Sequence, residues 1–228
     1  MKITILSLFP EMFEGVFGSS MIWHATDIKA VEIQIVNFRE FSTSKHKKVD
    51  DAPFGGGPGM LLSVEPIYKA LQSIEGHETA TKILMTPQGK TYNQEIGKNL
   101  SKKDHLIIVC GHYEGFDERI RSLVDMEVSI GDYVLTGGEI AAMAIVDSVS
   151  RLLPGVLSSN ESFEEDSFYD GMLEYPQFTR PQEFMGMKVP EVLVSGNHQE
   201  VAKWRKEEAL RRTKDRRPDL LQNAKKKD

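Results

Sequence analysis

The run Ser129-Ile130-Gly131-Asp132-Tyr133-Val134-Leu135-Thr136-Gly137-Gly138-Glu139 lies where a strand is expected to end and a helix to begin, a junction suited to building a ligand site. Glycines at 131, 137 and 138 allow a tight turn and close backbone approach to a ligand, while Tyr133 and Leu135 supply flat apolar cover. Two further junctions of this kind stand upstream, Thr86-Pro87-Gln88-Gly89 and Cys110-Gly111-His112-Tyr113-Glu114-Gly115, each directly after an apolar run. Three such turns beside one sheet can form one pocket. Gly55-Gly56-Gly57-Pro58-Gly59 adds another glycine-rich loop. It lacks the Lys-Ser/Thr ending of a P-loop and the spacing of a dinucleotide fingerprint, which argues against nucleoside triphosphate or NAD binding. His112 and Glu114 have no partners at metal-ligand spacing, so no metal site is expected. In the run Glu161, Glu164, Glu165, Asp166, charge spacing alone singles out no catalytic base.

The elements that must carry these turns follow an alternating pattern. Lys2 to Phe9, Val31 to Phe38, Lys82 to Met85 and His105 to Cys110 read as strands, three of them nearly continuous in apolar residues, as buried parallel strands are. Pro10 is expected to open a helix with Met12, Phe13, Val16 and Phe17 on one side, and Pro66 to Ile74 has Ile67, Ala70, Leu71 and Ile74 at helical spacing. Thr91 and Gln94 have capping-box spacing, and Glu118 to Val124 and Glu139 to Leu153 continue the alternation. The fold class is therefore α/β with a parallel sheet.

With 228 residues, 40% hydrophobic and 27% charged, the chain reads as an ordinary globular protein rather than a disordered one. A single cysteine, Cys110, excludes an internal disulfide framework and a cysteine-based zinc cluster, and points to a reducing, cytoplasmic setting. The apolar run after Lys2 is too short for a membrane span and is followed by no cleavage-site pattern, so no membrane association is expected. Net charge is −6, unevenly spread: residues 199–228 hold 11 Lys and Arg against 6 Asp and Glu, leaving −11 elsewhere. That basic tail can meet nucleic-acid phosphates, although Glu207 with Arg211 and Glu208 with Arg212 also suit ordinary helical pairs. Residues 158–174 carry six acidic and no basic side chains and read as a mobile linker or lid. Tyr175 to Pro181 is extended, and a helical stretch follows from about His198. The expected division is 1–157, 158–174 and 175–228.

The segments GGGPGM, CGHYEGFDER, SIGDYVLTGGE, RLLPGVL, EEDSFYDGMLEYPQFTRP and VPEVLVSGNH, in this order, closely resemble the signatures of the bacterial tRNA (guanine-N1)-methyltransferase family, TrmD, from Lys2 to about Leu221. The resemblance implies a SPOUT-class methyltransferase with a deep trefoil knot in its sheet domain and a small, mainly helical C-terminal domain that binds tRNA. It implies transfer of a methyl group from S-adenosylmethionine to N1 of the guanosine 3′ of the tRNA anticodon, by a homodimer with shared active sites. Carried over by motif, the cofactor residues are Pro87, Gly111, Tyr113, Glu114, Ile130, Tyr133, Leu135, Gly137 and Gly138. The general base falls on Asp166 and the substrate-orienting arginine on Arg151, with Arg180 and His198 near RNA or the interdomain boundary. Glu174 stands where some members have Asp, which changes its reach and leaves it outside the catalytic set. Family activity is described as magnesium-dependent, without a dedicated metal cluster in this sequence. Two other readings stand beside this one. A SPOUT enzyme acting on another RNA atom, such as a ribose hydroxyl, is disfavoured by the EEDSF motif. A non-enzymatic RNA-binding module built on the basic tail leaves the three turns and the acidic segment unexplained.

Overall fold

Apolar residues on both sides of a strand require cover on both faces of its sheet, and the central strands here have it. In the structure, a computed structural model describing residues 1–158 and 161–224, the chain divides into two units, Met1–Ser158 and Ser159–Asp228. Ser159 and Asn160 of the acidic segment and lysines 225–227 of the basic tail lie outside the described residues. The first unit runs β1 (Lys2–Ser7), α1 (Glu14–Phe17), α2 (Ser20–Asp27), β2 (Glu32–Asn37), a short ribbon of β3 (Asp50–Asp51) and β4 (Leu61–Leu62), then α3 (Val64–Ser73). It continues with β5 (Thr81–Thr91), α4 (Gln94–Leu100), β6 (His105–Val109), β7 (Met126–Ser129) and α5 (Glu139–Ser150). Five strands form one sheet in the order β2-β1-β6-β5-β7, every pair parallel.

Side chains alternate across this sheet. Ile3, Ile5, Ile83, Leu106 and Ile108 face one way and pack with Ile22 and Ala25 of α2 and with Ala142, Ile145, Val146 and Val149 of α5. Leu6, Leu84, Ile107 and Val109 face the other way, against Ile67, Ala70 and Leu71 of α3 and the fully buried Phe38 and Leu62. Full burial of each such side chain is worth about 1.5–3 kcal/mol, so the cover on both faces holds the strand ends in fixed relation.

Four local expectations are corrected. The helix expected from Pro66 begins at Val64, because proline within the first turn forfeits only an amide that has no intrahelical partner. The cap of α4 is Asn93, whose side-chain oxygen accepts from Ile96 N at 3.0 Å, while Thr91 ends β5. The strand expected over Lys82 to Met85 runs on to Thr91: Met85 and Lys90 both align with Val128 of β7, and residues 86–89 bulge out of the sheet between them. Glu118–Leu123 winds as a tight 3₁₀ helix started by Asp117, which accepts from Arg119 N at 2.9 Å.

The second unit comprises α6 (Glu161–Glu164), the hairpin β8 (Glu183–Phe184) and β9 (Met187–Lys188), α7 (Glu191–Val194), α8 (His198–Arg216) and α9 (Pro218–Ala224). Asn197 caps α8, accepting from Gln199 N and Glu200 N. On its surface Arg211 pairs with Glu208 at 2.6 Å and Asp215 at 3.5 Å, in place of the expected pair with Glu207. Among the described residues no helix is long and apolar enough to cross a membrane.

Candidate active site

Parallel strands present their carboxyl ends at one edge, where ligands of open α/β sheets bind. Here the bulge 86–89 of β5, the turn 110–115 after β6 and the turn 130–138 after β7 enclose a cleft of about 500 Å³. That volume lies within the range of small-molecule sites. Gly138 caps α5, and its N–H donates to Gly111 O at 2.9 Å; His112 and Gly137 form an antiparallel bridge beside it. A side chain at Gly138 has no room: its Cβ would lie 2.8 Å from Gly111 N and 2.9 Å from the Cα of Cys110, both backbone atoms. The GGGPGM loop lies against the second turn, with Glu114 N donating to Met60 O at 3.1 Å and Leu62 N donating to Gly115 O at 2.9 Å. Tyr113 holds a left-handed backbone, φ +59°, a conformation that costs a non-glycine residue energy and gathers at ligand sites.

The structure brings nine sequence-derived candidates together around this cleft. Pro87 comes from the bulge, Gly111, Tyr113 and Glu114 from the second turn, and Ile130, Tyr133, Leu135, Gly137 and Gly138 from the third. Arg151 is not among them. It caps the C-terminal end of α5, about 15 Å of axial rise beyond Ala141, the residue of α5 that lines the cleft. Asp166 belongs to the second unit.

Three residues beyond those carried over by motif stand at or behind the cleft. His112 lines it, its ring 4.8 Å from that of Phe9 and 5.2 Å, edge-on, from that of Tyr113. Arg121 lines it too, neutralised by Glu118 at 2.9 Å and by Glu127, and donating to Gln88 Oε1 at 2.5 Å. Behind the wall, Glu139 is 2% exposed and accepts the Ser7 hydroxyl at 2.7 Å, while Ser7 Oγ accepts from Phe9 N at 2.9 Å. A carboxylate in the first turn of α5 is favoured by the helix dipole, and here it ties the third turn to the end of β1. The acidic residue after Gly137-Gly138 was a legible signal for it, since a glutamate there opens the first turn of α5.

The cleft thus combines flat apolar cover from Tyr133, Leu135 and Ile130 with close backbone polar groups and the carboxylate of Glu114. It suits a ligand with a planar ring, hydroxyls and a cationic end. Among the described residues no three His, Cys, Asp or Glu side chains converge as a metal-ligand set.

In the second unit, a smaller cavity of about 340 Å³ is lined by Asp166, Glu165, Glu174, Tyr175, His198 and Arg205, among others. Tyr175 OH donates to Glu165 Oε2 at 2.5 Å, and the Arg205 guanidinium lies 4.7 Å from the Tyr175 ring centroid. Arg180 is exposed and lines neither cavity.

Comparison with known proteins agrees over nearly the whole chain. Residues 1–223 match the family described as tRNA (Guanine-1)-methyltransferase TrmD. A tRNA (guanine-N(1)-)-methyltransferase of Halalkalibacterium halodurans is 57% identical over 228 residues, covering 99% of this chain and 93% of the relative. Proteins of that name from Bacillus cereus strain AH820 and Bacillus anthracis strain A0248 are each 58% identical over 226 residues, covering 97% of this chain and 92% of the relative. With its cleft, its motif order and this similarity, the chain belongs to the TrmD family of tRNA (guanine-1)-methyltransferases.

Proposed function

We propose that the protein methylates N1 of the guanosine immediately 3′ of the tRNA anticodon, with S-adenosylmethionine as methyl donor. The observation that carries this reading is the convergence of all nine motif-derived cofactor residues on one cleft of suitable volume, in a chain of this family. The fit of the donor rests on the close joining of the turns at Gly138 and Gly111, where a Cβ would meet Gly111 N and the Phe116 ring, and on the rings and carboxylate that line the cleft so formed. Bound there, S-adenosylmethionine supplies a methyl group on a sulfonium that departs as a neutral thioether once N1 takes the methyl.

The chain's own residues do the rest. Tyr133 and Leu135 cover the purine, the glycine turns offer backbone hydrogen bonds to it and to the ribose, and Glu114 faces the cationic end. Asp166 accepts the N1 proton of guanine as the N1 lone pair attacks the methyl carbon in line, and Arg151 orients the base. Alignment of nucleophile and methyl is worth up to about 7–11 kcal/mol, and a positioned base about 10²–10⁴-fold. The target base stacks in the anticodon loop, so reaching it requires extrusion.

Arg151 at the end of α5 remote from the cleft supports a homodimer whose sites are shared, since one chain's Arg151 does not reach its own cleft through α5. Large apolar side chains left exposed around α1 and α2, among them Trp23 at 52% and Val16 at 43%, supply surface for such contact. A trefoil knot through the turns 86–89, 110–115 and 130–138, tRNA binding by the second unit with Arg180 and His198 near RNA, and a cytoplasmic site of action belong to the same reading. The test is methyl transfer from labelled S-adenosylmethionine to unmodified tRNA, with the product nucleoside and its position identified. N1-methylguanosine beside the anticodon is expected, and its loss in Asp166→Asn with donor affinity retained. Methylation of another atom, or wild-type turnover in Asp166→Asn, overturns the reading.

A further inference from the structure

By composition the acidic segment reads as mobile chain, yet residues 163–175 form a loop bonded within itself on both sides of Asp166. Asp166 N donates to Phe163 O at 3.3 Å, Tyr169 N to Asp166 O at 3.2 Å, Phe168 N to Met172 O at 2.6 Å and Glu174 N to Ser167 Oγ at 3.1 Å. Two anchors pin this loop to α8. At one, Thr213, fully buried, donates its hydroxyl to Ala209 O at 2.7 Å and accepts from Leu173 N at 2.9 Å. At the other, next to Asp166 in sequence, Tyr175 OH donates to Glu165 Oε2 at 2.5 Å, and Arg205 lies over the Tyr175 ring with Nη1 3.7 Å from that same oxygen. Burial, then the hydrogen bond to Glu165, push the Tyr175 hydroxyl up to about 12, so it keeps its proton and remains a donor near neutral pH. Arg205 Nε is buried without a hydrogen-bond partner among the described residues, which leaves the stack and the ion pair as this side chain's hold on the loop.

We infer that Tyr175 and Arg205 are positioning residues for methyl transfer: by holding Glu165 they fix the direction in which Asp166 presents its carboxylate. This rests on the reading of Asp166 as general base. Of the adjacent carboxylates, Glu165 is engaged by a hydroxyl and a guanidinium, which makes it the lever that aims the loop. The mechanism needs this because a base works only within hydrogen-bond reach of its proton, and a misplacement of about 1 Å can cost about 10² in rate. Holding the loop on α8 also means that Asp166 arrives with its backbone already set, so tRNA docking has less chain to order.

The experiment uses the full-length enzyme. Tyr175→Phe keeps the ring beneath Arg205 and removes only the hydroxyl; Arg205→Lys keeps a cation near Glu165 and loses the planar stack. Single-turnover methyl transfer at saturating tRNA and S-adenosylmethionine is expected to fall by about tenfold in Tyr175→Phe and by a smaller factor in Arg205→Lys, with both dissociation constants unchanged. The double variant should lose less than the product of the two factors, because both act through Glu165. An unchanged saturated rate, or a loss that disappears as tRNA is raised, overturns the inference. Should Tyr175→Phe fail to fold, Arg205→Lys decides by the same measure. Wild-type turnover in Asp166→Asn removes the parent reading and this one with it, whereas an inactive Asp166→Asn beside a fully active Tyr175→Phe overturns this inference alone.

Discussion

The N–H of Gly138 donates to the carbonyl of Gly111 across 2.9 Å, joining the start of α5 to the turn after β6. Together with the His112–Gly137 bridge beside it, this bond sets the spacing of two of the three turns around the cleft. It also leaves no room for a side chain, because the nearest neighbours of a Cβ at Gly138 are backbone atoms that cannot rotate away. Gly138→Val is expected to raise the dissociation constant for S-adenosylmethionine by at least about a hundredfold and to destabilise the fold by about 1–3 kcal/mol, as overpacking does. Gly138→Ala should do the same to a lesser degree. Calorimetric titration and denaturant unfolding check both; unchanged affinity in a folded Gly138→Val places the donor elsewhere.

Shared sites make a prediction that separate sites do not. If Asp166 of one chain serves the cleft of the other, then mixing Asp166→Asn with Gly138→Val, each inactive alone, restores activity under subunit exchange. Random exchange makes about half the dimers mixed, each with one intact site, by two-fold symmetry. Activity near a quarter of wild type per chain is the expected result, read by methyl transfer after exchange is verified with differently tagged chains. No recovery despite exchange confines the chemistry to one subunit.

His105, at the start of β6, shares a hydrogen bond of 3.0 Å with Thr4, and burial first and Lys2 second hold its pKa below the ordinary 6.5. In the unfolded chain it takes up a proton as pH falls through 6.5, while the folded protein resists. The unfolded state therefore binds more protons in that window, and stability declines as pH drops below about 6.5. His105→Gln should flatten that part of the melting-temperature profile. An identical profile in the variant removes His105 as its cause.

Cys110 sits at the end of β6, 1% exposed, with burial first and Glu139 second pushing its thiol well above the ordinary range. Thiolate is the reactive form, and neither charge nor access favours it here. A disulfide reagent such as Ellman's should leave the native thiol unmodified and react with one equivalent in denaturant. Fast reaction of the native protein shows that the turn 110–115 opens readily.

Patterns of neighbouring residues were enough to locate the buried strands, because apolar runs such as Leu106–Val109 have no stable place except between two covering layers. They also located the three turns and the start of α8 at His198, where glycine, capping residues and helical periodicity act within a few positions. Where two local signals competed, the chain chose by long-range pairing: Thr91 is drawn into β5 by Ser129 of β7, and the cap of α4 passes to Asn93. The acidic run was legible as charge, but nothing in it marks Glu165 as the residue that Tyr175 and Arg205 engage, 10 and 40 positions away. Likewise Ser7 and Glu139 meet across 132 positions. Arg151 was named by its motif, yet its separation from the cleft comes from the length of α5. Composition and spacing determine which segments are buried and where the chain turns; which turns meet, and which polar groups find one another, is decided by strand register and helix docking, which bring together residues far apart in sequence.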